Sequence, residues 1–281
     1  MATTRRDRPA QRLSRMLLLA VIYAWCLVPF GWLISTSLKQ GTQALQSADM
    51  FQGPFGFGNY VEVLAEGFAY NLRNSLIVAA STTVLCIAIG VLAGYALARL
   101  NVRRKMLILT GVLAVSLFPP VSLVPPLYSL WRELGLLDTY PGLYLPYTAF
   151  ELPLVIFLLT TFFASIPVEI EEAALVDGAT RFQAFHRVVL PLATPGIFAA
   201  SIITFVGAWN EFLLASTFAP RSLAAQTVPV AIASLSGDVQ FEPPIGTITA
   251  ACVIVTVPMV FVALVFQKRI ISGLTSGGLK G

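Results

Sequence analysis

Few residues in this chain have side chains able to do chemistry, and their spacing narrows what that chemistry is. A single histidine, His186, leaves no Ser/His/Asp or Cys/His arrangement to assemble. Cys26, Cys86 and Cys252 all stand within apolar runs, as small buried hydrophobes do. So few such residues exclude a Cys-rich or His-rich metal site and a disulfide framework. No Gly-x-x-x-x-Gly-Lys-[Ser/Thr] phosphate loop occurs, so the chain does not hydrolyse ATP by that route. The reading is a non-enzyme with no catalytic residue, no metal site and no cofactor of its own. What remain are carboxylates in unusual places. Glu151 and Glu211 fall within long apolar stretches, where an ionisable group marks a pathway by default. Glu172 and Asp177 fall between two such stretches, beside Ala173, Ala174 and Gly178, and offer acid to a basic partner.

The elements that must carry these residues are helices in a bilayer. Of 281 residues, 57% are hydrophobic and only 11% charged, and the mean hydropathy is +0.80. A soluble domain carries about 25% charge; so few charges cannot cover a water-facing surface. A spanning helix needs roughly 20 apolar residues. Six stretches qualify, at about 16–38, 75–98, 106–127, 143–163, 197–218 and 245–266. The first is too long for a signal-peptide core and no small-residue cleavage site follows, so it is kept as a span. Prolines at 29, 119, 120, 125, 126, 146, 153 and 258 interrupt or flank the spans, which suggests kinked helices around an internal path. Gly90-Val-Leu-Ala-Gly94 allows close helix approach.

Lys and Arg set the direction. Fourteen of the eighteen fall on one side: Arg5, Arg6, Arg8, Arg12, Arg15, Arg99, Arg103, Arg104, Lys105, Arg181, Arg187, Lys268, Arg269 and Lys280. Lys39, Arg73, Arg132 and Arg221 fall on the other. The positive-inside rule places both termini in the cytoplasm. The basic N-terminus then needs no nucleic acid to explain it. Lys39–Asn74 is a long outer segment whose Phe55-Gly56-Phe57-Gly58-Asn59-Tyr60 run should fold in part against the outer face.

The loop at 164–196 carries more signals than a connector needs. Pro167 suits a first helical position, and Glu169, Glu171 and Glu172 suit the first turns of a helix. Gly178 suits a helix stop. A second short helix should bury Phe182, Phe185 and Val189 on one face and end at Pro191 and Pro195. Two short helices around a glycine turn make a knob outside the membrane. Ala173 and Ala174 give it a thin side that another surface can approach. A solvated connector is the alternative.

Glu172-Ala-Ala174, Gly178 after three residues and Val188-Val-Leu190-Pro191 after nine more resemble the EAA motif. That motif marks membrane subunits of binding-protein-dependent ABC importers; Val188 departs mildly from its usual Ile. Trp209-Asn210-Glu211-Phe212-Leu213 and the tail Gly273-Leu-Thr-Ser276-Gly277-Gly278-Leu-Lys280-Gly281 are similar to the sugar-importer, MalG-like branch. The resemblance runs from the first span to the last residue. It implies an all-α membrane protein with the type I importer permease fold, in which residues 1–281 are a single permease domain of a bacterial inner membrane. It implies a related second permease, two ATPase subunits that use ATP and Mg, and an extracytoplasmic solute-binding protein. Residues 172–174, 177, 178, 190 and 191 become the ATPase-coupling positions, and Ser276, Gly277, Gly278 and Lys280 a tail that slips between the ATPase subunits. A sugar is implied as cargo, a disaccharide or short oligosaccharide such as trehalose or maltose. Glycerol phosphate or a polyol is the alternative, and a secondary carrier or a membrane scaffold the next ones.

Within the spans, Glu151 lies about eight residues in, roughly 12 Å deep. It either accepts sugar hydroxyls or pairs with a partner subunit. Trp209, Asn210 and Glu211 face the pathway or pack beneath it. For the outer loop at 219–244, with Gln226, Asp238, Gln240, Phe241 and Glu242, the resemblance implies a role in substrate release; an ordinary hairpin between spans is the alternative.

Overall fold

The computed structural model describes residues 9–41, 49–220, 223–237 and 244–278. Among these the regular secondary structure is helical, with one isolated antiparallel bridge, Lys39 to Phe55. The helices are α1 (Pro9–Leu38), α2 (Gly58–Ala65), α3 (Phe68–Arg99), α4 (Lys105–Ser116), α5 (Pro120–Glu133), α6 (Tyr140–Ser165), α7 (Val168–Val176), α8 (Arg181–Trp209), α9 (Leu213–Phe218), α10 (Val228–Gly237) and α11 (Ile245–Gly278). The chain divides into two compact units, residues 1–66 with 234–256 and residues 67–233 with 257–281.

In the first unit, the apolar window of α1 buries none of its residues. A helix that is apolar all round and uncovered belongs against lipid or another membrane helix. The segment at 49–60 folds back on the end of α1. Asn59 Nδ2 donates to the carbonyls of Ser37 and Lys39, both at 2.8 Å, and Ser37 Oγ lies 2.6 Å from the Tyr60 hydroxyl. Thr247 Oγ1 donates to Glu62 Oε2 at 3.0 Å, fixing α11 to α2.

In the second unit, α3 and α6 form the central pair. Gly90 faces Val155 and Gly94 faces Leu159, so close that an added Cβ would lie 2.5 Å and 2.9 Å from those side chains. The Gly90–Gly94 spacing therefore serves the close approach that the sequence suggested. The core at the basic end of this pair contains Val91, Val155, Leu159, Phe163, Phe185 and Val189. At the other end, Asn71 and Asn74 donate to the Gln226 carbonyl at 3.1 Å, and Ser75 Oγ accepts from Val228 N at 2.8 Å. Gln226 is thus a bracket for its loop; Asp238, Gln240, Phe241 and Glu242 lie outside the described residues.

Three expectations about the spans change. The stretch at 106–127 is not one straight helix, because α4 and α5 meet at 81° across residues 117–119. With 12 and 14 residues, neither helix alone matches a bilayer core. The stretch at 197–218 breaks after Trp209, and α9 is a separate short helix. Pro191 and Pro195 do not end the helix that precedes them: α8 runs through both. A π-helical stretch at Phe185–Val189 makes room, with Leu190 N donating to the carbonyl five residues back at Phe185. A widened turn supplies what a proline without an N–H cannot.

Candidate functional site

The knob forms as its start and stop signals require. Pro167 caps α7, and Glu169 and Glu171 stand in its first turn. Ala179 N donates to Ala174 O at 3.0 Å and Gly178 N to Leu175 O at 3.1 Å, with Gly178 at φ +88°. This pair of bonds is the Schellman ending, which glycine makes cheaply. Thr180 then opens α8 with a reciprocal cap: Gln183 N donates to Thr180 Oγ1 at 3.3 Å, and Thr180 N to Gln183 Oε1 at 2.9 Å. Both backbone ends are therefore satisfied locally, and the turn is stiff.

Glu172, Ala173, Asp177 and Gly178 are exposed on this knob, and Ala174 is half-buried. Leu190 and Pro191 do not join them. They lie beyond the π-helical stretch, lining an apolar groove of about 700 Å³ with Ile87, Val91 and Leu92 of α3. Phe182 departs from the expected buried face. It is 73% exposed and stacks on His186 at 6.2 Å, while Phe185 and Val189 are buried. Phe182 stands in the first turn of α8, before that helix reaches the core. With Val176, 86% exposed, it adds an apolar tip to the acidic knob.

Behind the knob is a cluster with no signature in the sequence. Glu171 is buried, and its Oε2 lies 3.4 Å from Arg99 Nε, the last residue of α3. Its Oε1 accepts from the Tyr95 hydroxyl at 2.5 Å. Arg99 also donates to Ile166 O at 2.6 Å. Tyr95 is held between Phe163 and Phe185, with ring centroids at 5.9 and 4.5 Å. The knob is thereby fastened to the central helix pair by charge and by ring packing. Glu169, Glu171 and Glu172 read alike in the sequence; only the position of Arg99, some seventy residues earlier, tells them apart.

A second constellation lies within the apolar helices. Glu151 is the twelfth residue of α6, about 16 Å from its N-terminal end at 1.5 Å per residue. With Tyr147, Ala208, Glu211 and Leu214 it lines a cavity of about 200 Å³. Glu151 rests against Gly207 of α8, where an added Cβ would lie 2.2 Å from its Oε1. Glu211 serves structure first. Its Oε1 accepts from Leu214 N at 2.8 Å and its Oε2 from Ala215 N at 3.0 Å, capping α9 across the break in the fifth apolar stretch. The Tyr147 hydroxyl is buried beside Glu211 without a hydrogen bond of ordinary geometry. Trp209 is buried, stacked on Phe205, with its indole N–H unpartnered. Asn210 faces outward and donates to Val206 O at 2.8 Å. The structure thus brings Glu151 and Glu211 to one cavity and assigns Asn210 to the end of α8. Ser276, Gly277 and Gly278 fall in the last turn of α11, and Lys280 lies outside the described residues.

Known proteins resemble this arrangement over nearly its whole length. The chain is 42% identical over 262 residues to the trehalose transport system permease protein SugB of Mycobacterium tuberculosis, covering 93% of this chain and 95% of that one. It is 43% identical over 257 residues to the sulfoquinovosyl glycerol transport system permease protein SmoH of Agrobacterium fabrum, covering 91% and 89%. A chain of a bacterial ABC transporter that imports the acidic polysaccharide alginate superposes with a TM-score of 0.76 at 22% identity, covering 94% of this chain and 99% of that chain. That likeness gives the fold, the type I importer permease. Residues 86–276, which include the knob and both carboxylates of the cavity, match the family model, and the chain belongs to the binding-protein-dependent transport system inner membrane components.

Proposed function

We propose that this chain is one of two related permease subunits of an ATP-driven importer that takes a sugar from an extracytoplasmic binding protein. A disaccharide or short oligosaccharide such as trehalose is the cargo that the similarity to the mycobacterial permease supports. Two separate ATPase subunits, which use ATP and Mg, dock on the knob, and the tail around Ser276–Lys280 reaches between them. Residues 1–281 act as one permease in the lipid bilayer, with both termini in the cytoplasm. The observation that carries this reading is the build of the knob. A subunit without a phosphate loop must receive force through a contact. Here a stiff glycine turn presents Glu172, Asp177, a thin alanine side and an apolar tip, and is fastened from behind through Glu171 and Arg99. A proton-coupled carrier would need a free carboxylate pair. Glu211 commits both oxygens to the cap of α9, which leaves Glu151 alone.

The test is co-purification of the ATPase subunits and sugar uptake in Glu172→Lys, Ala174→Trp and Gly178→Asp. Gly178 has open space around it, so the aspartate meets only the backbone cost of positive φ, about 1–2 kcal/mol. Tryptophan at position 174 holds the surfaces apart, and overpacking costs about 1–3 kcal/mol. Each substitution should weaken association or uncouple hydrolysis from uptake while the spans still insert. Normal values for both measurements in all three variants would reduce the knob to a connector.

Orientation has its own check. Single cysteines at Ala48 and Thr180, placed after Cys26, Cys86 and Cys252 are replaced, should label from outside and only after permeabilisation, respectively. The basis is the fourteen-to-four division of Lys and Arg. Outside labelling at position 180 would reverse the topology and remove the knob from the cytoplasm.

A further inference from the structure

We propose that the cavity between α6 and α8 is a substrate subsite of this subunit that selects uncharged, hydroxyl-rich cargo against anionic cargo, with Glu151 as the selecting residue. The inference rests on the permease reading and goes beyond it by naming a site and a charge rule. Sequence similarity does not supply that rule, since relatives of nearly equal identity are named for trehalose and for sulfoquinovosyl glycerol, a sulfonate.

Three features of the cavity supply it. No basic side chain lines it, and Glu151 makes no hydrogen bond or ion pair with another described residue. With no basic side chain to meet it, an anion entering this space gives up its hydration for acceptor oxygens alone. The Tyr147 ring lines the same space, with its hydroxyl buried beside Glu211, and Glu151 brings acceptor oxygens. A sugar hydroxyl can donate to a Glu151 oxygen, whereas a phosphate or sulfonate group has only acceptors to offer it. Gly207 holds the arrangement open, because any side chain there would displace the Glu151 carboxylate. The volume, about 200 Å³, fits one sugar ring and not a whole oligosaccharide. The cavity is therefore a subsite passed ring by ring.

The experiment uses the full transporter in proteoliposomes, with the three native cysteines replaced and one reporter cysteine at Ala208 or, in a second variant, at Leu214 on another wall. Each reporter is modified with a cationic trimethylammonium-ethyl and an anionic sulfonatoethyl methanethiosulfonate of similar size. The rate ratio, cationic over anionic, is normalised to free cysteine. The expected value is about tenfold or more at both positions, falling to about threefold or less in Glu151→Gln. A ratio that Glu151→Gln leaves unchanged at both reporters means that Glu151 carries no charge into the cavity, and overturns the proposal. The second arm screens trehalose, maltose, sulfoquinovosyl glycerol and glycerol phosphate for binding-protein-stimulated ATPase. Stimulation by the uncharged sugars fits the proposal; stimulation by an anionic one alone overturns it. Failure of the underlying reading looks different: the unmutated chain would then recruit no ATPase subunit.

Discussion

Arg99→Ala should cut binding-protein-stimulated ATPase and sugar uptake by about ten- to a hundredfold while the subunit still inserts and still holds its partners. Glu171 and Arg99 are both nearly buried, with side-chain exposures of 11% and 8%, at 3.4 Å. Removing one member of such a pair leaves a buried charge alone, which costs about 3–5 kcal/mol. Here that cost falls on the junction between α7 and the C-terminal end of α3, because Arg99 also holds the Ile166 carbonyl at the entrance to the knob. With the arginine gone, the lowest-energy response is for Glu171 to turn out to water. The knob would then sit on the ATPase without moving α3. Tyr95→Phe removes only one hydrogen bond to a charged group, worth about 1.5–3 kcal/mol, and keeps the ring between Phe163 and Phe185. Its loss should be smaller, and smaller still when added to Arg99→Ala, since both act through Glu171. The measurement is uptake per ATP hydrolysed with the ATPase association checked alongside. Undiminished coupling in Arg99→Ala would leave the cluster as packing only.

That cluster marks where sequence reading stops. The knob was legible because its signals are local: a proline, a glycine and a capping pair act within one turn of where they stand. The apolar stretches were legible because hydrocarbon tolerates little else. The break between α4 and α5 was not, since its prolines at 119 and 120 resemble the kinking prolines at 146 and 153, which α6 absorbs. The break after Trp209 hid for a related reason. Hydropathy runs on through residues 210–218, and only the N–H groups of Leu214 and Ala215, which need an acceptor, explain why a glutamate stands at 211. Phe182 was misplaced because its spacing to Phe185 and Val189 satisfies a helical face, but the face starts a turn later. Glu171 was hidden most deeply, because its role depends on a residue on another helix.

The packing of α3 on α6 should be the least forgiving feature of the fold, and the two glycines there should fail differently. At Gly90 an added Cβ would meet Val155 Cγ1 at 2.5 Å, the end of a side chain that can give way. At Gly94 it would lie 2.9 Å from Leu159 Cβ, and 3.1 Å from the Leu159 carbonyl carbon and the Thr160 nitrogen, which are backbone. Between membrane helices lipid competes for apolar surface as well as a neighbour does, so close van der Waals contact is what holds the pair. Gly90→Ala should therefore lower the detergent-solubilised Tm modestly, and Val155→Ala should restore most of the loss. Gly94→Ala should lower it further, and Leu159→Ala should not restore it, since two of the three clashes are with atoms that no side-chain substitution removes. Gly94→Leu should reduce the yield of monodisperse subunit at least tenfold, because separating the helices also dismantles the seat of Phe163 and Phe185 on which Tyr95 rests. Thermal stability of the five variants, with yield of the leucine one, decides the matter. Equal rescue at both positions would show that α3 and α6 can slide apart at little cost, and that the glycines set no distance between them.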